Sequence, residues 1–358
     1  MKKIDLKILI LIFLMIGSLL FADGVSDYTY HQAKQIPILE FDYHNPRNHV
    51  SPVAMSLGGV NITNGSDVFG GYDNPALLFK NQKVYLALSF RHDSEEELNF
   101  ADMLDYSNFL KQNRLSYVGV SAKTFAFSYQ TLADVHISSL SGQEQEYYDY
   151  KLDAFQASFA LLDKKVPNGS LGFGAKYLTG RLIHLVNHGE DATIFNKNTF
   201  IDEKVKGFSV DAGGIYKVGR ITFAGSLLDV YSQLYWEHFD TDVLVRTWMG
   251  GFQYDLSKLQ VMYTLKGRLE EETKMTSHFG VNYTPYSSGN EESPQEMALR
   301  GGTFWEYTLD EDGNEEKIIN YTMGLGYYMG GIKLDFGLVS PEFNWKSNDY
   351  LVSLSLSF

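Results

Sequence analysis

The chain has 358 residues, carries a formal net charge of -14 at pH 7 and contains no cysteine. The lack of cysteine excludes disulfides, thiolate metal sites and thiol nucleophiles, and the acidic balance argues against nucleic acid as a partner, because phosphate binding requires a basic surface. Aromatic residues make up 15% of the chain and the mean hydropathy is -0.20, which is too polar for a bundle of membrane helices and typical of strands and membrane interfaces.

Residues 1–22 have the features of a secretory leader. Three lysines precede an apolar run, Ile8–Phe21, and the small residue Ala22 follows it. The run is short for a membrane-spanning helix, and a charged start with a small residue at the end is typical of a cleaved signal peptide. No later stretch reaches the about 18 apolar residues of a helical span. The sequence therefore predicts export, and a membrane location only as a closed barrel.

The segment before the first predicted strand is rich in glycine and turn residues. Residues 51–78 contain Gly58, Gly59 and Asn74–Pro75. Glycine permits positive φ and close backbone approach, and the residue before proline is restricted to extended or turn conformations. We predict that residues 23–82, called the hatch from here on, include a compact insert without strands that packs against the rest of the protein.

From residue 83 to the C-terminus, polar and apolar side chains alternate with the period of two that is typical of strands. Fourteen such segments occur, an even number within the range of single-chain bacterial barrels. The sequence therefore predicts an all-β fold, a transmembrane antiparallel β-barrel of about 14 strands over residues 83–358 with the hatch as an N-terminal plug. The segments are 83–91, 114–121, 124–132, 148–162, 169–182, 204–217, 220–233, 241–254, 257–268, 273–285, 296–308, 316–329, 331–340 and 348–358.

The predicted connections alternate in length. The links after the second, sixth, eighth and twelfth segments are short, whereas 92–113, 133–147 and 183–203 are long. Short periplasmic turns and long outer loops are required of an outer-membrane barrel whose termini both lie on the periplasmic side. The link 286–295 departs from this rule, because it is long where a periplasmic turn is expected, and it leaves the strand count open there.

The last nine residues read Y-L-V-S-L-S-L-S-F. Alternation places a row of apolar residues on one face and mostly serines on the other. In a membrane barrel the apolar face contacts lipid and an aromatic residue lies at the interface. We predict that this is the closing strand, recognised by the barrel-assembly machinery, and that its lipid-facing residues are Tyr350, Val352, Leu354, Leu356 and Phe358.

Met55–Gly59 and Asn74–Pro75–Ala76, placed between a leader and a strand array, resemble the N-terminal hatch of the FadL-like superfamily of outer-membrane proteins. The likeness is closest to the PorV/PorQ-like branch. Three later segments of this chain also resemble strands of that branch, Phe208–Tyr216, Leu299–Gly302 and Gly324–Tyr327. The resemblance implies a location in the bacterial outer membrane and a conduit for hydrophobic small molecules. The hatch residues that it implies are Gly58, Gly59, Asn74, Pro75 and Ala76.

The same resemblance implies a second function. PorV-like members are associated with type IX protein secretion, in which the barrel receives cargo proteins at its outer face. The loops 92–113 and 183–203, which are rich in Phe, Leu and Tyr, would then dock the cargo. A structural barrel with no transport role is the third alternative.

Charged residues on the polar faces of the strands are candidates for the barrel lumen. Their simplest role is to form ion pairs that hold the hatch, and the alternative is to guide a ligand. Neither a G-x-S-x-G nor a H-E-x-x-H motif occurs, so we predict no enzyme, no metal site and no cofactor. The lumen candidates are Asp211, Lys258, Lys266, Lys333 and Asp335.

Overall fold

A computed structural model describes most of the chain after the leader. The predicted signal peptide at residues 1–22 lies outside the described part, in which no helix is long and apolar enough to cross a membrane. The described residues are 36, 42–64, 68–69, 71–92, 113–141, 144–162, 168–188, 200–269, 275–288, 295–309, 315–342 and 348–358.

Fourteen antiparallel strands form one closed barrel, in which each strand pairs with its neighbours in sequence and the last pairs with the first. The predicted fold and strand count are confirmed, including at the link 286–295, since two separate strands flank it. The strands are β1 Tyr85–His92, β2 Asn113–Ser121, β3 Phe125–Ser141, β4 Glu144–Leu162, β5 Gly169–His188, β6 Phe200–Val218, β7 Ile221–Trp236, β8 Thr247–Leu256, β9 Leu259–Arg268, β10 Thr276–Ser288, β11 Gln295–Leu309, β12 Glu315–Met329, β13 Ile332–Pro341 and β14 Asp349–Ser357.

The two faces of the strands differ in polarity. On β14, Ser353 and Ser355 are buried inside the barrel, whereas Leu354 is exposed on the outside, as is Phe358 directly after the strand. Aromatic side chains face outward in one register row of four neighbouring strands, at Tyr129, Phe155, Tyr177 and Phe208. Apolar and aromatic outward positions combined with polar inward positions, as on β14, are the arrangement of a membrane barrel.

The strands differ in length around the barrel. β3–β7 have 16 to 20 residues, whereas β13 and β14 have 10 and 9. The predicted outer loop at 133–147 is therefore wrong, because β3 continues to Ser141 and β4 begins at Glu144. Pairs such as Val135 with Tyr150 extend the ladder through this segment, so one side of the barrel rises further at the outer rim.

The described part of the hatch lies inside the barrel. It contains one short helix, α1 (Pro52–Ser56), and two 3-10 turns, Pro46–Asn48 and Pro75–Lys80. The Ser51 side chain accepts a hydrogen bond from the backbone N–H of Ala54, which is the N-cap arrangement expected before a proline that starts a helix. All five residues of α1 are buried, so the hatch is part of the core of the barrel.

Candidate functional site

Inward-facing glycines of the barrel receive the backbone of the hatch. A Cβ atom at Gly302 would lie 2.5 Å from the Gly58 nitrogen, and one at Gly280 would lie 2.5 Å from the Leu57 oxygen. Only glycine permits so close an approach of two backbones. The hatch and the wall are therefore in direct backbone contact. Gly172 and Gly337 also meet backbone atoms of the hatch, and Gly213 and Gly324 meet the side chains of Asn74 and Ser56.

The predicted hatch glycines occupy a tight bend after α1. Gly58 and Gly59 have φ values of 85° and 87°, a region that other residues rarely adopt. A Cβ at Gly58 would lie 2.6 Å from the carbonyl oxygen of Phe279 on β10, and one at Gly59 would overlap Pro46. Both glycines are thus required by conformation and by contact.

The predicted triplet Asn74–Pro75–Ala76 joins the hatch to β6. The buried Asn74 side chain accepts a hydrogen bond from the Ala76 N–H (3.0 Å) and donates to the carbonyl oxygens of Ile62 (3.1 Å) and Gly214 (3.2 Å). Pro75 begins the 3-10 turn, and Ala76 packs in a cluster with Ile215. The triplet therefore stabilises the 3-10 turn and holds it against β6. A role of the triplet in transport stays a prediction.

A cluster of buried charges joins the start of the hatch to β5–β7. The Lys176 ammonium lies 2.6 Å from Asp229 Oδ1 and 2.9 Å from Asp211 Oδ1. His44 Nε2 lies 2.5 Å from Asp229 Oδ2. All four side chains are buried, and buried charge-assisted hydrogen bonds are strong once formed and costly to break. This ionic cluster holds residue 44 of the hatch against the wall.

Two charged groups of the hatch have shifted pKa values. Burial alone would raise the pKa of Asp42, but the charge and hydrogen bond of Lys266, 2.6 Å away, and the interactions with His44 together outweigh burial and lower it. Burial, with the nearby positive charge of Lys217, lowers the pKa of Lys80 to about 8. Lys80 also donates a hydrogen bond to the carbonyl oxygen of Thr63 (2.8 Å). The pKa values of Asp42 and Lys80 are thus set by burial and by neighbouring charges.

The five predicted lumen residues have different surroundings. Asp211 and Lys266 are buried inside the barrel, and Lys266 forms an ion pair with Asp42 of the hatch (2.6 Å). Asp335 is also buried, with its ion partners Arg300 (2.8 Å) and Lys333 (3.4 Å) both on the wall. Lys258 is exposed in the turn between β8 and β9, so its placement in the lumen is wrong. The strand ends before it, at Leu256, and Ser257 in the turn has a φ of 57°.

The sequence did not single out Lys176, His44 and Asp229, the partners of Asp211 in the ionic cluster. Lys176 lies on the inward positions of β5 with Gly174 and Leu178, a period-two signal that could have identified it. Asp229 gives no such signal. A bulge between β6 and β7 and a φ of 55° at Asp229 turn its side chain inward, against the alternation of the strand.

A continuous cluster of buried apolar side chains, called the apolar track below, lines the inside of β1–β7 and includes part of the hatch. Near the outer rim, the rings of Tyr150 and Trp236 lie 6.4 Å apart, and the Tyr43 and Tyr150 hydroxyls are hydrogen-bonded at 2.9 Å. The track extends from Trp236, the last residue of β7, to Val50, Phe69 and Tyr72 of the hatch. Its buried members are Val50, Val68, Phe69, Tyr72, Ala87, Tyr117, Leu132, Ala133, Tyr148, Tyr150, Leu152, Ala154, Leu178, Leu182, Val205, Leu234, Trp236 and Leu244.

The wall is interrupted between β2 and β3. These strands pair only from Tyr117–Ser121 to Ala126–Gln130, although both continue toward the outer rim. Beyond the last pair lies a pocket of about 60 Å³, called the slot below. Arg114 and Asp134 form an ion pair across it (2.6 Å). The slot meets the apolar track at Leu132. It is lined by Asn48, Arg91, Arg114, Leu115, Ser116, Thr131, Leu132 and Asp134.

No family model matches the sequence, and no curated protein matches it. Solved structures share its fold. The CymD monoaromatic hydrocarbon channel has a TM-score of 0.53 at 9% identity, covering 86% of this chain and 97% of that one. The Pseudomonas putida toluene transporter TodX has a TM-score of 0.53 at 8% identity, covering 86% and 96%. A deltaS2 mutant of the TodX monoaromatic hydrocarbon channel has 0.54 at 9%, covering 88% and 100%.

The fold is that of the FadL-type outer-membrane barrels. At such low identity the likeness concerns the fold and not the ligand. The three similar structures are channels and transporters rather than enzymes. None of the three is a PorV-like secretion barrel, so the likeness to that branch stays a prediction.

Proposed function

We propose that the protein is a conduit for hydrophobic small molecules across the outer membrane. The apolar track is the observation that supports this proposal. Barrels that conduct polar solutes have a polar interior, whereas the track gives this barrel an apolar inner surface. An apolar molecule gains free energy when it leaves water for an apolar surface. Since CymD is described as a monoaromatic hydrocarbon channel and TodX as a toluene transporter, small aromatic hydrocarbons are the first class to test.

The hatch is an unfavourable exit. A path straight through it would have to separate backbones in contact at Gly280 and Gly302 and open the ionic cluster around Lys176. Breaking one buried ion pair costs about 3–5 kcal/mol. We therefore expect the hatch to stay in place while a molecule passes.

The slot is the more favourable exit. Its ion pair, Arg114 with Asp134, is 48% and 31% exposed, and such a pair contributes only about 0–1 kcal/mol. Leu132 of the apolar track lies on its inner side and the exposed Leu115 on its outer side. A hydrophobic molecule would therefore leave the track sideways and enter the membrane without returning to water.

Protein secretion and a purely structural role are the alternatives. The loops 92–113 and 183–203, which would dock cargo, lie largely outside the described residues. No observation on the described part of the chain favours cargo docking over the conduit. Both alternatives are outcomes of the experiment below.

The experiment closes the slot reversibly. Because the chain has no cysteine, Ser116→Cys with Thr131→Cys introduces the only two thiols, one on each side of the slot. Toluene uptake is measured in cells carrying this variant, before and after a cleavable bifunctional thiol reagent and again after reduction. We expect the reagent to reduce uptake and reduction to restore it.

The matched control is Val120→Cys with Phe127→Cys, an outward pair on the intact part of the same two strands. The reagent should leave its uptake unchanged. Equal inhibition of both variants would refute the lateral exit. Native mass spectrometry of the protein from its own membrane tests the conduit itself. A retained apolar molecule supports it, whereas retained cargo proteins, or no molecule together with no uptake, would refute it.

A further inference from the structure

A second apolar feature lies on the outer surface of the barrel. A groove of about 480 Å³ runs over β10, β11 and β12. Gly301 lies at its floor, and Phe279, Leu299 and Tyr321 form its sides. A Cβ atom at Gly301 would have no heavy atom nearer than 3.8 Å, so the absence of a side chain there leaves the groove open.

The groove does not connect with the lumen. β10 pairs with β11 on both sides of Gly301, and β11 pairs with β12 along its whole length. Immediately behind the groove, Gly302 is in backbone contact with the hatch. The groove is therefore separate from the apolar track and from the slot, and its occupant must come from outside the barrel.

The chemistry of the groove suits a hydrocarbon chain. It lies on the outward face, between exposed apolar side chains such as Phe279, Leu299 and Met323. On this face of a membrane barrel the solvent is lipid. An acyl chain in the groove gains contact with protein on three sides, instead of the single side offered by a smooth wall.

A cation lies next to the groove on the same two strands. The register runs from Thr303 opposite Tyr321, through Trp305 opposite Ile319, to Tyr307 opposite Lys317. The Lys317 ammonium lies 4.2 Å from the centre of the Trp305 ring. Trp and Tyr prefer the membrane interface, and a basic residue at the membrane surface attracts anionic headgroups.

We infer that the groove and Lys317 together form a binding site for one anionic, phosphate-bearing membrane lipid. Its acyl chain fills the groove over Gly301, and its phosphate lies beside Lys317 and Trp305. Lys317 lies four register positions beyond Tyr321 at the end of the groove, and this separation matches a molecule with an apolar tail and a charged head.

The test uses the full-length protein in mild detergent. Phosphatidylglycerol, or phosphatidylcholine with the same acyl chains, is added, and native mass spectrometry counts the lipids that remain bound. We expect one retained phosphatidylglycerol. Gly301→Leu fills the groove and should weaken retention about tenfold, the effect of removing about two methylene groups from apolar contact. Lys317→Gln should remove the preference for phosphatidylglycerol over phosphatidylcholine.

Two matched controls keep the test specific. Gly250→Leu adds the same side chain at an outward glycine of β8 whose Cβ would also be free, with the nearest atom at 3.9 Å. Lys204→Gln removes an exposed lysine on β6. Unchanged retention in Gly301→Leu, equal loss in Gly250→Leu, or a second copy of the chain in place of lipid would each overturn the inference. None of these results bears on the conduit, because the wall separates the two sites.

Discussion

Two regions of the barrel wall differ in the residues that face the interior. On β10–β13, four of the inward positions that face α1 and the bend after it are glycines, and the hatch lies directly against them. They are Gly280, Gly302, Gly324 and Gly337. On β1–β7, many inward positions carry Leu, Tyr or Trp, which form the apolar track. Small residues let two backbones meet, whereas large apolar side chains create a surface that another apolar molecule can contact.

The comparison indicates a division of tasks within one sheet. β10–β13 meet the hatch through glycines, as Gly172 and Gly213 also do on β5 and β6, whereas β1–β7 carry the apolar track and the slot. The ionic cluster around Lys176 lies on the track side, where it anchors the hatch at His44. Changes that disturb holding and changes that disturb passage should therefore be separable.

The largest effect is expected at Lys176. Lys176→Met leaves Asp211 and Asp229 buried without their shared cation, and an uncompensated buried charge costs about 3–5 kcal/mol. The free energy of unfolding, measured in guanidinium chloride with the protein in phospholipid vesicles, should fall by that amount. Adding Asp211→Asn should recover part of the loss, because it removes one of the two carboxylates.

Lys204→Met is the control for Lys176→Met. Lys204 is exposed on the outer face of β6, and substitutions of this kind usually change stability by about 0.5 kcal/mol or less. Equal losses in the two variants would mean that the ionic cluster does not anchor the hatch.

A smaller effect is expected on the glycine side. In Gly302→Val the new Cβ would lie 2.5 Å from the Gly58 nitrogen and 2.6 Å from the Phe279 oxygen. Since both atoms belong to the backbone, the hatch or the wall must shift, at a cost of about 1–3 kcal/mol. The same unfolding experiment, with protease cleavage of the hatch as a second readout, measures it.

Gly301→Val provides the comparison, because its Cβ points outward into free space. It should leave both stability and protease resistance unchanged. If the two valines behave alike, the contact between the hatch and β11 does not contribute to stability.

The barrel could be predicted from the sequence because its signal is local. Phe125, Phe127 and Tyr129 alternate with polar or small residues as the pleat requires, and Gly58 with Asn74–Pro75 indicated a compact insert. The strand ends were less certain. Polar residues interrupt the alternation in 133–147, so the sequence predicts a loop there, yet above the apolar band both faces of a strand can be polar.

The candidate site was harder to predict, since it depends on contacts between distant strands. Asp211 and Lys266 were placed in the lumen by alternation, but His44 lies 185 residues from its partner Asp229. The bulge that turns Asp229 inward also has no signal in the local pattern. The slot arises from pairing that stops after Tyr117 and Gln130, a property of two strands together.

The smallest effect on stability, and the sharpest test of passage, is expected at the slot. Arg114→Gln removes the ion pair with Asp134, which is exposed and contributes about 0–1 kcal/mol. Stability should therefore hardly change, whereas toluene uptake should rise by up to about fivefold, the factor that corresponds to such an energy in a rate. Arg181→Gln is the matched control, because it breaks a similarly exposed pair with Asp202 on β5 and β6, away from the slot. If uptake rises only in Arg114→Gln, the slot controls the passage of toluene without contributing to the stability of the barrel. A rise in both variants would show that surface charge at the rim, rather than the slot, controls uptake.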